Sequence, residues 1–415
     1  MSVMQASRTA QQKISVTMRR HLDVGLVLVV AALLGLGLVM VTSASIGVAD
    51  KQTGDPLFFL ERQLVFVLAG VAVAAAIYRV RLANWEAAGF GLLIFTFFLL
   101  ALVLVPGIGK TVNGSTRWIS LGLINLQVSE LAKLFFVVYV AGYLVRHGRD
   151  VRESFSGFMR PVILMGLAAM LLLMEPDFGA AAVLMATGLG MLFLGGVRIG
   201  QFGLLMVVVA GALAVLAVSS PYRLERLTTF LNPWADPFDS GFQLTQALIA
   251  IGSGSWGGVG LGGSIQKLFY LPEAHNDFLF AVLAEELGLL GVLTVVALYG
   301  FLVWRCFSIA AAAEQCGHRF GAYLAYGVGI WMGLQAFINI GVNMGILPTK
   351  GLTLPLMSAG GSSMLVMCAA IGLLLRVHRE TVQTGAQLAV YSRNAMRRQR
   401  NASSPEPRRK LKEVA

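Results

Sequence analysis

The sequence predicts an all-α integral membrane protein with ten transmembrane helices and a large ordered outer loop between helices 7 and 8. Three observations carry that expectation. Hydrophobic residues make up 57% of the 415 and charged residues 13%, against about 45–50% and about 25% in soluble domains; mean hydropathy is +0.75. The apolar residues gather in continuous stretches, and a bilayer core needs roughly 20 per helix. Lys and Arg are distributed unevenly over the connections between those stretches.

Taken in order, 22–46 is long and lacks a small-residue cleavage site, which argues against a cleavable signal peptide. Stretches 60–79 and 86–106 follow, then a polar segment over 107–127, then 128–146. Stretches 160–175 and 178–195 are short and separated only by Glu175-Pro176-Asp177, so one kinked span is the alternative there. After 200–219 comes the outer loop 220–276, with Pro, Trp, Asp and a Gly-rich run; loops of that length are usually functional or disordered. The apolar stretch 246–251 favours partial order within it. Spans 277–305, 322–346 and 356–378 complete the set. The runs are continuous, not alternating, which argues against a β-barrel. The expected organisation is a cytoplasmic segment over 1–21, a membrane domain over 22–378, and a basic, disordered cytoplasmic tail over 379–415.

With the N-terminus inside, 23 of the 32 Lys and Arg fall on the inner side and 8 on the outer. That asymmetry predicts an even number of spans with both termini cytoplasmic. Three Cys exclude a disulfide scaffold and a Cys-rich metal site. The net charge of +11 reflects this topology and does not point to nucleic acid.

Gly252-Ser253-Gly254-Ser255-Trp256-Gly257 matches a dinucleotide fingerprint but lacks the strand–turn–helix context that it needs. Gly109-Lys110-Thr111 resembles the end of a P-loop, yet Leu104 stands where the glycine is required. More informative are ionisable residues at membrane depth, each of which costs a few kcal/mol. Glu130 and Lys133 share a helix face, as a packing ion pair or part of a site. Glu175 and Asp177 sit at an outer turn. Asp277 opens span 8, as a helix cap or a chemical group, and Glu285 and Glu286 lie deeper. His275 beside Asp277 gives too few ligands for a metal. The topology brings Arg117, Glu130, Lys133, Asp177, Asp277 and Lys350 to the outer surface. Cations there suit phosphates, and a carboxylate suits proton removal.

Seven segments carry a resemblance: Gly37-Leu-Val-Met-Val-Thr-Ser-Ala-Ser45, Asn113-Gly-Ser-Thr-Arg-Trp-Ile-Ser-Leu-Gly122, Gln127-Val-Ser-Glu-Leu-Ala-Lys133, Glu175-Pro-Asp-Phe-Gly179, Asn232-Pro-Trp-Ala-Asp-Pro237, Leu271-Pro-Glu-Ala-His-Asn-Asp-Phe278 and Leu347-Pro-Thr-Lys-Gly-Leu-Thr-Leu-Pro355. Over roughly 20–380 the chain resembles the SEDS family (shape, elongation, division and sporulation) of peptidoglycan polymerases, its division-type branch more than its elongation branch. It departs from the family pattern at Val128, Asn276 and Ala359, where Pro, Thr and Tyr are expected. The resemblance implies a glycosyltransferase at the outer face of the bacterial inner membrane, sited at the division septum. Such an enzyme polymerises lipid II with inversion and releases undecaprenyl pyrophosphate. It implies Asp277 as the catalytic carboxylate, with Arg117, Lys133 and Lys350 matched to basic substrate-binding positions; Glu130 and Asp177 are further candidates. A divalent cation (Mg²⁺ or Mn²⁺) is expected to assist. A class B penicillin-binding protein transpeptidase and other division-complex membrane proteins are the expected partners.

The rivals are a lipid II flippase, which makes and breaks no bonds, a non-enzymatic scaffold, and an elongation-type polymerase. A flippase needs a polar path open to both leaflets, whereas here the inner halves of the spans are nearly free of charge.

Overall fold

The computed structural model describes residues 22–402 apart from 113–114, 121, 123–124, 219–229, 239–240, 269 and 349–350. Its helices are, in order, α1 (Val24–Thr53), α2 (Phe58–Arg79), α3 (Leu82–Val103), α4 (Val128–Glu153), α5 (Phe155–Met174) and α6 (Phe178–Leu194), then α7 (Ile199–Val218), α8 (Phe242–Ser253), α9 (Leu279–Gln315), α10 (Arg319–Asn343) and α11 (Gly361–Ala402). Eight of them, all but α6, α7 and α8, are long and apolar enough to cross a membrane. Large apolar side chains such as Leu28, Val65, Phe90 and Val207 are exposed on the rim of the bundle. In water that surface would aggregate; in hydrocarbon it is solvated.

The helix α4 is the pillar of the bundle. Its apolar stretch is 83% buried, against 22% for α2, and it packs on α3, α5, α6 and α10. Two close approaches show how the bundle tightens. A Cβ at Gly37 on α1 would lie 2.7 Å from the Met357 backbone, and one at Gly188 on α6 would collide with Met165 Sδ on α5. The second contact also shows that α5 and α6 fold back on one another about the 175–177 turn, which removes the single kinked span.

Three expectations change. Between α3 and α4 the chain is not purely helical: β1 (Gly109–Val112), β2 (Ser115–Ser120) and β3 (Asn125–Gln127) form an antiparallel sheet in the order β1-β2-β3. β-Branched Thr111, Val112, Thr116 and Ile119 favour the pleated backbone. The span expected from 277 begins as α9 only at Leu279, so Asp277 lies before the helix and the cap position is Phe278. The segment expected to be a disordered tail from 379 continues α11 to Ala402, because good helix formers fill it and no Pro interrupts it; residues 403–415 and 1–21 lie outside the described residues.

The α9 helix breaks at Gly288 (φ 63°, ψ −162°), a left-handed conformation that favours glycine. The break frees the carbonyls of Glu285 and Glu286, which accept from the N–H groups of Val259 (2.9 Å) and Gly260 (3.1 Å) in the loop after α8. Irregular backbone at membrane depth survives only when protein satisfies it in this way. Side chains reinforce the join. Lys267 Nζ donates to Glu286 (2.7 Å) and to Ser43 of α1 (2.9 Å), and Ser43 donates to Glu286 (2.7 Å). Glu285 accepts from Ser264 and from the Ile265 N–H. The two deep glutamates thus anchor the loop after α8, and Glu286 joins it to α1 as well.

Glu286 is fully buried and Lys267 is its cation. Removing one partner of a buried pair costs about 3–5 kcal/mol, whereas replacing both by apolar groups is often close to neutral. Lys267→Met should therefore lower the thermal midpoint of the detergent-purified protein, and Lys267→Met/Glu286→Leu should recover most of the loss. Scanning fluorimetry of the three proteins reads this; equal midpoints for wild type and Lys267→Met would remove the pair from the account.

Candidate active site

At the end of the bundle where β1–β3 sit, a cavity of about 430 Å³ opens between α2, β2 and the loops before α9 and α11. Its charged walls are Arg62, Arg117, Glu273 and Asp277. Each is delivered by a different element. Arg62 rides on the first turns of α2 beside Gln63. Arg117 is held by β2, whose register pairs Trp118 with Lys110 on one side and Gln127 on the other. Glu273 and Asp277 come from the turn before α9.

That turn is fixed by its backbone. The carbonyl of His275 accepts from the Ala359 N–H (3.0 Å), and that of Asn276 from Ser358 Oγ (2.7 Å). The carbonyl of Asp277 accepts from Asn339 Nδ2 (2.8 Å) and Asn343 Nδ2 (3.0 Å). The two asparagines, four apart on α10, share a helix face. Asn339 also donates to Leu352 O (2.6 Å), which joins the 351–360 loop to the same clamp. Phe59 packs its ring on His275 at 4.7 Å.

The Asp277 side chain caps no helix and points at the cavity. A Cβ at Gly351 would sit 3.2 Å from Asp277 Oδ2 and 3.8 Å from Arg117 Nη1, so one small group placed there touches both the carboxylate and the guanidinium. Desolvation and the negative charge of Glu273 push the Asp277 carboxyl up to about 7; Arg117 opposes them and Asp177 adds to the rise. Asp277 is not the helix cap that its place at the head of a span allows, because the helix starts two residues later. Burial pushes the His275 ring down.

Asp177 stands behind Arg117 and not in the cavity. It accepts from the Ala180 N–H (3.1 Å), capping α6, and lies 3.8 Å from Arg117 Nη1. Glu175 is fully buried with neither carboxyl oxygen hydrogen-bonded. Its burial and the charge of Asp177 raise it to about 8, against the pull of Arg117. Glu130 and Lys133 are not cavity residues either. They pair at 2.8 Å inside the bundle, where Lys133 also donates to Gln335 (2.7 Å) and lies 5.4 Å from the centre of the Trp331 ring. Gln335 in turn donates to Thr353 O (3.1 Å), so the pair braces the loop that lines the cavity without reaching it. Lys350 lies outside the described residues, next to Gly351 of the cavity wall. Arg62, Gln63 and Glu273 were not singled out from the sequence. The signals existed in the polar run Glu61-Arg62-Gln63 at the mouth of a span and in the carboxylate four residues before Asp277.

Residues 24–383 match the cell cycle protein family FtsW/RodA/SpoVE. The chain is 70% identical over 381 residues to the probable peptidoglycan glycosyltransferase FtsW of Thioalkalivibrio sulfidiphilus, covering 92% of this chain and 95% of that one. It is 61% identical over 350 residues to the protein of the same name in Nitrosococcus halophilus, covering 84% and 90%. Among solved structures it resembles a peptidoglycan synthase complex that coordinates polymerization and crosslinking, with a TM-score of 0.71, 31% identity and coverage of 87% of this chain and 98% of that one. It also resembles the rod shape determining protein RodA of Thermus thermophilus, with a TM-score of 0.63, 31% identity and coverage of 86% and 97%.

A carboxyl that holds its proton near neutrality reacts with carbodiimides. Asp277 should be labelled at pH 7, with labelling falling as pH rises through about 7. Glu273→Gln removes a charge that raises Asp277, so it should reduce labelling at fixed pH. Peptide mass spectrometry reads both; labelling that ignores pH and Glu273 would contradict this electrostatic picture.

Proposed function

The chain belongs to the FtsW/RodA/SpoVE family of cell cycle proteins, and from that membership we propose how its cavity works as the active site of a division-type peptidoglycan glycosyltransferase. The enzyme polymerises lipid II into glycan strands. The observation that carries the mechanism is the meeting of the Asp277 carboxyl and the Arg117 guanidinium at one cavity point beside Gly351.

The acceptor's GlcNAc 4-hydroxyl must attack the anomeric carbon of the donor's MurNAc. Asp277 takes the hydroxyl proton as general base, a role typically worth about 10²–10⁴-fold in rate. Its carboxyl near 7 suits the task, since a base is most effective when its proton affinity lies close to the working pH. Arg117, with Arg62 across the cavity, binds the pyrophosphate and offsets its charge as it leaves. An α-linked donor then gives a β-1,4 product with inversion, and undecaprenyl pyrophosphate departs. Asp177 keeps Arg117 aimed. Lys133 and Glu130 serve the scaffold instead of the substrate.

A divalent cation, where one assists, would arrive with the pyrophosphate and neutralise part of its charge. Among the described residues no group of three or more His, Cys, Asp or Glu side chains is placed to hold a metal ion, and the two cavity carboxylates share their walls with two arginines. No step here is routed through a metal. The eight long apolar helices and the shorter α6 and α7 together make ten spans of the bacterial inner membrane, with both termini cytoplasmic; the 23-to-8 division of Lys and Arg supports that orientation. In that orientation the cavity opens at the outer face of the membrane, at the septum for a division-type enzyme. A class B penicillin-binding protein and other division proteins are its partners there. The likeness to a synthase complex supports the first of these.

Asp277→Asn keeps size but cannot take a proton. It should insert stably and make no glycan from purified lipid II. Arg117→Ala should lose about ten- to a hundredfold in polymerisation at limiting lipid II, since a charge-assisted contact contributes about 1.5–3 kcal/mol. If Asp277→Asn polymerised within about threefold of the wild-type rate, well short of the loss expected for a base, the base would have to be another group.

A further inference from the structure

The opposite end of the bundle carries two cavities that the proposed chemistry does not use. One, of about 650 Å³, lies between the ends of α3, α4 and α5; the other, of about 1020 Å³, lies between the ends of α4 and α10. They meet at Arg146 and His147, which line both.

The first cavity has two kinds of wall. Phe90 and Ile163 are 61% and 64% exposed and continue the hydrocarbon-facing rim of the bundle. Arg146, Arg160 and His147 face them, with the Tyr139 and Tyr143 rings as the floor. The α4 helix leaves helical geometry at His147 (φ −121°, ψ 23°), and the kink stacks the imidazole on Tyr143 at 4.8 Å. Its Nδ1 is buried with no hydrogen-bond partner, a state that costs free energy unless a partner arrives. The Arg146 guanidinium lies back along α4, with Nη1 3.1 Å from the Cβ position of Gly142. Carboxylates also face the two cavities, Glu86 in the first and Asp150 and Glu314 in the second. They are outnumbered by the guanidinium groups of Arg146, Arg149, Arg152, Arg160 and Arg319.

A cationic notch whose other wall is open hydrocarbon surface suits a ligand that is anionic at one end and aliphatic at the other. We propose that this cavity binds one anionic glycerophospholipid of the leaflet opposite the active site. Its phosphodiester lies between Arg146 and Arg160 and engages His147 Nδ1. An acyl chain runs over Phe90, Ile163 and Leu164, and headgroup hydroxyls donate to Glu86. Basic pockets between spans on the cytoplasmic side are a recurrent mode of lipid headgroup recognition. A soluble phosphate would fill only the cationic half and leave the apolar wall to other lipid. The site clamps α3, α4 and α5 together at the end of α4, the helix that carries Glu130 and Lys133 at its other end. Naming the cytoplasmic leaflet rests on the orientation proposed above; the existence of the site does not.

The test is native mass spectrometry of the full purified chain released from nanodiscs holding equal phosphatidylglycerol, phosphatidylethanolamine and phosphatidylcholine. The wild type should retain phosphatidylglycerol over the other two. Arg146→Gln/Arg160→Gln should retain it about tenfold less per lost contact, Arg146→Lys/Arg160→Lys should recover part of it, and Arg198→Gln, outside the cavity, should match wild type. Glycan synthesis by the Gln pair shows that it is folded. Equal retention of all three lipids, wild-type retention by the Gln pair, or displacement by millimolar inorganic phosphate would each overturn the proposal while leaving the polymerase reading intact. Cysteine labelling from each side of the membrane, which assigns the leaflet, is a separate outcome.

Discussion

Three consecutive backbone carbonyls, at His275, Asn276 and Asp277, hold the carboxylate around which the site is built. Each accepts a hydrogen bond from a distant part of the chain: the Ala359 N–H, the Ser358 hydroxyl and the Asn339–Asn343 pair of α10. The turn before α9 therefore has no freedom of its own. Its position is set by α10 and by the loop before α11, and both are braced by α4 through Gln335 and the Lys133–Glu130 pair. Charges buried at membrane depth thus act one step away from the chemistry. They secure the loops that shape the cavity.

The same division of labour sets the electrostatics. Arg117 lies between Asp277 and the buried Asp177–Glu175 pair and opposes the rise of both Asp277 and Glu175. Desolvation is the larger influence on both carboxyls. Asp277 is left near 7, where it exchanges a proton readily, and Glu175 near 8, where it is mostly neutral at physiological pH. A site at a membrane surface gains this tuning from burial by its own loops, since bulk water would return a carboxyl to its usual range.

Much of this was legible in the sequence. The apolar stretches located the helices because hydrocarbon demands long continuous runs, and the resemblance to a known family led to Asp277 and Arg117. The sheet over 109–127 was not legible, because short strands at a membrane edge leave only a weak alternation. For Glu130 and Lys133 the sequence leaves a packing pair and a site open, because it shows that a charge lies within a span, not which way it faces; the substrate-binding role for Lys133 comes from the resemblance alone. The carbonyl clamp was invisible for a deeper reason: it joins backbone atoms of 275–277 to residues more than 60 positions away, and carbonyls carry no residue identity. Asn339 and Asn343, four apart in an apolar helix, were the one readable trace of it. The tail beyond 379 reads as polar and therefore disordered, yet polarity without Pro is also how an exposed helix is written.

The most direct test of the account is the pH dependence of kcat/KM for lipid II polymerisation by the purified protein. A base that must be ionised gives a rate that rises with pH, here through the Asp277 carboxyl at about 7 and with the slope of one proton. Glu273→Gln should move that rise to lower pH, because it removes a charge that holds the proton on. A profile flat from well below to well above 7, or one that Glu273→Gln leaves in place, would contradict the assignment of Asp277 as the base.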